Sequence, residues 1–141
     1  MPEFILNHGS PFAAKQFGEL DTFTQGYIEA MFFTNTGTGD DEELEHATVA
    51  DLAPETLAMI VGDCEAFQLQ AAAWLAKAYA SEQPSYDKMQ AGRDFWFTRC
   101  GHGVGFWDRG LNAIGDELSE IAGQFGNRDL YAGDDGKLYL Q

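Results

Sequence analysis

The chain has 141 residues, 45% of them hydrophobic and 13% aromatic, with a formal net charge of −15 from 8 basic and 23 acidic residues. That length and composition suit one globular domain over 1–141 with a real hydrophobic core, and argue against a disordered chain. The charge repels a phosphate backbone, which disfavours direct nucleic-acid binding. No window approaches 18 continuous apolar residues, so no membrane span is expected.

The N-terminus lacks the basic start and apolar run of a signal peptide, so a cytoplasmic location is expected. Cys64 and Cys100 are too few for a disulfide framework and read as reduced thiols. The charge is uneven, with a net of −12 over residues 1–92 and −3 over 93–141. It suits solubility or attraction to a basic partner.

Residues 1–20 scatter Phe4, Ile5, Leu6, Phe12, Phe17 and Leu20 among Gly, Pro and Asn. They read as an irregular arm whose apolar side chains pack onto the domain. Asp21 and Thr22 are good N-caps for a first helix over Phe23–Phe33, in which Gly26 costs about 1 kcal/mol relative to Ala. Residues 34–47 form an acidic loop. Its contiguous carboxylates Asp40, Asp41, Glu42 and Glu43 do not have the alternating spacing of an EF-hand, so a solvated loop is expected rather than a metal site.

Pro54 and Glu55 open the second helix. Leu57, Ile60, Val61, Cys64, Phe67, Ala71, Trp74, Leu75 and Ala78 recur at three- and four-residue spacing, which predicts one helix to about Ala80, about 40 Å long at 1.5 Å per residue. Cys64 falls on its apolar face as a small buried hydrophobe. A short helix is expected from Pro84 to about Gly92, with Ser81 as a candidate cap.

The next stretch runs from Arg93 to Arg109 and holds two of the three tryptophans and three of the four arginines. Phe95-Trp96-Phe97 and Phe106-Trp107 flank Cys100-Gly101-His102-Gly103. Aromatic residues favour strands and glycines permit turns, so a β-hairpin is expected, with one aromatic face toward the second helix and the other either covered by the arm or exposed for binding. A third helix follows over Leu111–Phe125, with Gly126 as its left-handed stop. Short strands over Arg128–Ala132 and Lys137–Leu140 are joined by Gly133-Asp-Asp-Gly136, a hairpin signal. The fold class expected is α+β: a small antiparallel sheet of about four strands with helices mainly on one face.

The candidate site is the turn at His102. An imidazole there could act as a general acid or base, and Arg99, Trp107 and Arg109 could stack and hold an aromatic or anionic ligand such as a nucleotide. The blander readings are a turn histidine bonded to a carboxylate or backbone group, Asp108 as the cap of the third helix, and Arg109 paired with Asp94 across the hairpin. Cys100-x-His102 is not a zinc pair, no phosphate-loop pattern is present, and neither metal nor cofactor is expected. Asp134 and Asp135 read as turn residues.

The block from Asp94 to Arg109 resembles a family of small accessory proteins of tailed phages, and the resemblance continues through Gly115–Leu118 and Asp129–Tyr139. Upstream, Phe23–Ala30 and Asp51–Thr56 are also similar to that family. Cys100 departs from its pattern, in which a polar residue such as Asn precedes the Gly-His-Gly. The resemblance implies a phage protein acting in a bacterial host cytoplasm and carries no catalytic residues with it. The expected function is thus non-enzymatic binding of a host protein, itself basic or nucleic-acid-binding, in host takeover or counter-defence. The alternatives are a small-molecule or nucleotide binder or hydrolase using the His102 turn, and a structural or packaging role.

Overall fold

The computed structural model describes residues 17–35, 48–81 and 86–141. The expected arm through residue 16 and the acidic loop from residue 36 onward lie outside them. Within the described residues the chain forms α1 (Thr22–Asn35), a 3-10 turn (Val49–Asp51), α2 (Pro54–Gln70), α3 (Ala72–Tyr79) and α4 (Lys88–Cys100). A second 3-10 turn (Phe106–Asp108), α5 (Ala113–Gly123), β1 (Leu130–Ala132) and β2 (Leu138–Leu140) follow.

Asp21 caps α1 as the sequence predicts. Its carboxylate accepts from the Thr24 N–H at 2.9 Å and its carbonyl from the Gln25 N–H at 3.0 Å. The helix then buries Phe23, Tyr27, Ile28 and Met31. Phe17 of the expected arm is fully buried, and Leu20 packs against the core. The long second helix is two helices jointed at Ala71. Hydrogen bonds still cross the joint, from the Ala71 N–H to Phe67 and from the Leu75 N–H to Ala71, both at 2.8 Å.

The expected β-hairpin over 94–109 is not formed, and the short helix ending near Gly92 is not a separate element. From Lys88 on, the short helix is continuous with the first half of the expected hairpin in α4, which runs to Cys100, and the second half is a loop carrying the 3-10 turn over Phe106–Asp108. Asp87, not Ser81, caps α4 by accepting from the Gln90 N–H at 2.9 Å. Its buried residues Ala91, Gly92, Asp94, Phe95, Trp96 and Arg99 lie on one face at helical spacing. Two of them are charged, and this broke the apolar pattern that would have announced a helix. The aromatic run then resembled a strand, because β-propensity reflects packing more than backbone preference.

Gly101 ends α4 in the left-handed region at φ +69°. Its N–H bonds the Thr98 carbonyl at 3.3 Å, and the His102 N–H bonds that of Phe97 at 3.0 Å. This 5→2 and 6→1 pair is a Schellman motif. The Cys-Gly-His sequence is therefore a helix stop rather than a hairpin turn.

α1 and α4 cross with their backbones in close contact, and glycine on each makes it possible. A Cβ on Gly26 would collide with the Met89 carbonyl, and one on Gly92 with that of Phe23. Around this crossing the rings of Phe23, Phe67, Phe95, Phe106 and Phe125 form the core, with Phe67 and Phe95 stacked at 4.3 Å between centroids. The expectation that one aromatic face of this stretch meets the second helix is met residue by residue rather than by a strand face. Phe95 and Phe106 stack on Phe67, whereas Phe97 is half-buried and Val104 exposed.

The sheet has two described strands, not four. β1 and β2 pair antiparallel with Leu130 opposite Leu140 and Ala132 opposite Leu138, joined by the predicted turn with Gly136 at φ +80°. A single parallel bridge adds Leu52 beside Leu138. The Leu138 carbonyl accepts from the Ala53 N–H at 3.1 Å and from Thr56 Oγ1 at 2.7 Å, which ties the hairpin to the start of α2. The helices pack on one another rather than covering one face of the sheet. The α+β description holds, with the helices carrying the core.

Candidate functional site

The four residues singled out by the sequence, Arg99, His102, Trp107 and Arg109, sit on the last turn of α4 and the segment after it. Arg99 points inward. Its guanidinium donates to Asp63 Oδ2 at 2.8 Å, to Tyr27 Oη at 3.2 Å, and to the carbonyls of Phe125 and Gly126 at 2.9 and 2.7 Å. It lies over the Phe95 and Phe125 rings at 5.2 and 5.7 Å. The fork thus joins α1, α2 and α4 to the backbone of the segment just after α5. Burial alone would lower its pKa, but Tyr27 and Asp63 outweigh that and hold it above the ordinary arginine value.

Arg109 faces a different carboxylate. It grips the fully buried Asp94 with Nε at 3.1 Å from both oxygens and Nη2 at 2.7 Å from Oδ1. Tyr86 Oη and Gln90 Nε2 complete the Asp94 shell at 3.0 and 3.1 Å. The hydrogen bonds to Asp94 raise the Arg109 pKa. The pairing expected from the sequence is present, made from the flank of a helix instead of across strands. Asp94 and Arg99 are five residues apart on α4, about 140° around it, so the two arginines serve separate networks.

His102 is exposed. Its ring stacks on Trp96 at 6.2 Å and meets the edge of Phe97 at 6.4 Å. The ring hydrogen bond expected to a carboxylate or backbone group is not among those of the described residues, and His102 is held instead by its backbone N–H on the Phe97 carbonyl and by its ring contacts. Trp107 is 44% exposed and lies over Gly105, where an added Cβ would come within 2.6 Å of the indole. Asp108 does not cap the following helix. Asn112 occupies that position, at φ +57° and without a side-chain cap bond.

Cys64 is buried and Cys100 half-buried, and burial raises both thiol pKa values above the ordinary range. Neither is activated as a nucleophile. Among the described residues no three His, Cys, Asp or Glu side chains gather as a metal set, and no helix is long and apolar enough to cross a membrane. Asp134 and Asp135 sit in the β-turn, with Asp135 accepting from the Lys137 N–H at 2.9 Å and from Tyr139 Oη at 2.6 Å.

Sequence reasoning anticipated the pair of Arg109 with Asp94 but missed the other three that set the surface. Each of the four arginines is in an internal ion pair: Arg93 with Glu29, Arg99 and Arg128 with Asp63, and Arg109 with Asp94. No spacing signal reveals the pair between Arg93 and Glu29, 64 residues apart in sequence. Among the described residues, twelve exposed carboxylates are left facing three exposed lysines, Lys77, Lys88 and Lys137. No protein-family profile, curated protein or solved structure matches the chain.

Proposed function

We propose that this protein acts by binding, without catalysis, as an acidic phage accessory protein that docks a basic host protein in the bacterial cytoplasm. The observation that carries this reading is the internal use of all four arginines. Together they are held on three carboxylates, Glu29, Asp63 and Asp94, inside the fold or at its margin, so the exposed surface is more one-sided than the composition suggests. Like-signed exposed charge speeds association with a partner of opposite sign and repels nucleic acid. A host protein that itself binds nucleic acid has the matching basic surface. The two arginines expected to serve a ligand at His102 are bonded to Asp63 and Asp94, which leaves the nucleotide reading with less support than the binding one.

The test is capture from host lysate at low and at high salt, followed by affinity measurement on the identified partner. The expected result is a partner whose dissociation constant rises at least tenfold between about 50 and 300 mM salt, as screened surface charges require. A partner with no salt dependence would overturn the electrostatic reading. A thermal shift with a nucleotide or metal, abolished by His102→Ala with the fold intact, would favour the small-molecule alternative.

A further inference from the structure

We infer that the loop from Gly101 to Trp107 is the apolar anchor by which the protein seats a basic amphipathic segment of its partner, an inference that rests on the binding function proposed above. Val104 and Trp107 are 38% and 44% exposed within one short loop. Among the described residues, Phe33 and Leu69, at 77% and 79%, lie on different helices, and Tyr131, at 39%, stacks on Tyr139 in the β-hairpin. Isolated exposed apolar residues need no explanation, whereas neighbouring ones on a fixed loop form a surface.

The loop is held at both ends. The Schellman bonds of Gly101 and His102 fix its start. At its far end Phe106 is fully buried, and its N–H donates to Thr98 Oγ1 at 3.3 Å. The Asp108 N–H closes on the Gly105 carbonyl at 3.0 Å, and Arg109 is clamped on Asp94. Gly105 itself has no room for a side chain between Thr98 and the Trp107 ring. An aromatic side chain presented from so constrained a backbone loses little conformational entropy on binding, which is the condition that makes tryptophan a hot-spot residue.

The surroundings specify the partner's chemistry. Asp108 is exposed beside Trp107. Asp116 is exposed on α5 next to Gly115, which packs so closely on the Phe106 carbonyl that an added Cβ would approach within 2.7 Å. An apolar centre with a carboxylate rim fits a helix or strand that places leucine-like side chains on one face and Lys or Arg at its edges.

The probe is a synthetic 14-residue peptide of lysine and leucine at helical spacing, compared with an all-lysine peptide. The expected result is that the lysine–leucine peptide binds more tightly and shifts the Trp107 indole N–H and the Val104 methyl resonances. Trp107→Ala and Val104→Ser would each weaken it, the first at least tenfold, while Leu69→Ala leaves it unchanged. Val104→Ser keeps the test open if Trp107→Ala disturbs the packing over Gly105. Salt-sensitive binding that neither loop substitution weakens would overturn the anchor and leave the acidic-surface function standing. Failure of both peptides to bind would overturn the two together.

Discussion

Removing the Arg99 guanidinium would leave a carboxylate, a phenol and the carbonyls of Phe125 and Gly126 without this donor. Breaking a buried pair by deleting one partner costs about 3–5 kcal/mol, and the lower end applies because Asp63 is partly exposed and keeps Arg128 at 3.4 Å. Arg99→Met is therefore expected to destabilise by about 3 kcal/mol in denaturant unfolding. Arg99→Lys should recover little of that, since an ammonium cannot reach four acceptors in one plane. Asp21 makes a pH prediction. Burial raises its pKa, but hydrogen bonds from Thr24 and Gln68 outweigh this and hold the folded value below 3.8. A depressed carboxylate stabilises the fold above its unfolded pKa, and that contribution is lost as pH falls through the folded pKa. The gap in melting temperature between the native protein and Asp21→Asn should hence be constant from pH 7 to 5 and shrink below about pH 4.

At the scale of the elements, glycine separates two opposing effects. An Ala in a helix interior gains about 1 kcal/mol over Gly, whereas overpacking costs about 1–3 kcal/mol and at times more. At Gly92 and Gly26 the added Cβ meets a carbonyl of the facing helix, so packing wins, and Gly92→Ala and Gly26→Ala should each lower stability by more than about 2 kcal/mol. At Gly62, in α2, nothing lies within 4 Å, and Gly62→Ala should instead raise stability by up to about 1 kcal/mol. Urea midpoints of the three variants check the sign as well as the size. Gly26 was legible in the sequence only as a weak point of its helix. What demands it is the Met89 carbonyl, 63 residues further along the chain, which no local pattern contains. The apolar stripes of α2, α3 and α5 and the Asp-Gly hairpin were legible because their signals are local. α4 was not, because its core face carries Asp94 and Arg99, and charge at a core position is tolerable only once Arg109 and Asp63 have been folded against it.

At the scale of the whole molecule, the exposed carboxylates repel one another and oppose the compact state. Salt screens exposed charges over about 10 Å at 0.1 M and reaches buried pairs far less. Raising sodium chloride from 20 to 300 mM should therefore increase the melting temperature, with each kcal/mol of relieved repulsion worth about 4 °C in a domain of this size. Scanning calorimetry across that range checks it. A fall would mean that the four arginine pairs are screened more than the surface is relieved.

The chain alone announced the Asp21 cap, the helical stripes and the terminal β-hairpin. All of these depend on residues a few positions apart. Of the candidate site it identified the stretch and the pairing of Arg109 with Asp94, but it set them on strands. Long-range packing made the stretch a helix and a tethered loop, turned Arg99 and Arg109 to separate carboxylates, and left Val104 and Trp107 outside. The physical reason is that a buried charge is stable only beside a partner. For Asp94 and Arg99 those partners, Arg109 and Asp63, lie 15 and 36 residues away in the chain.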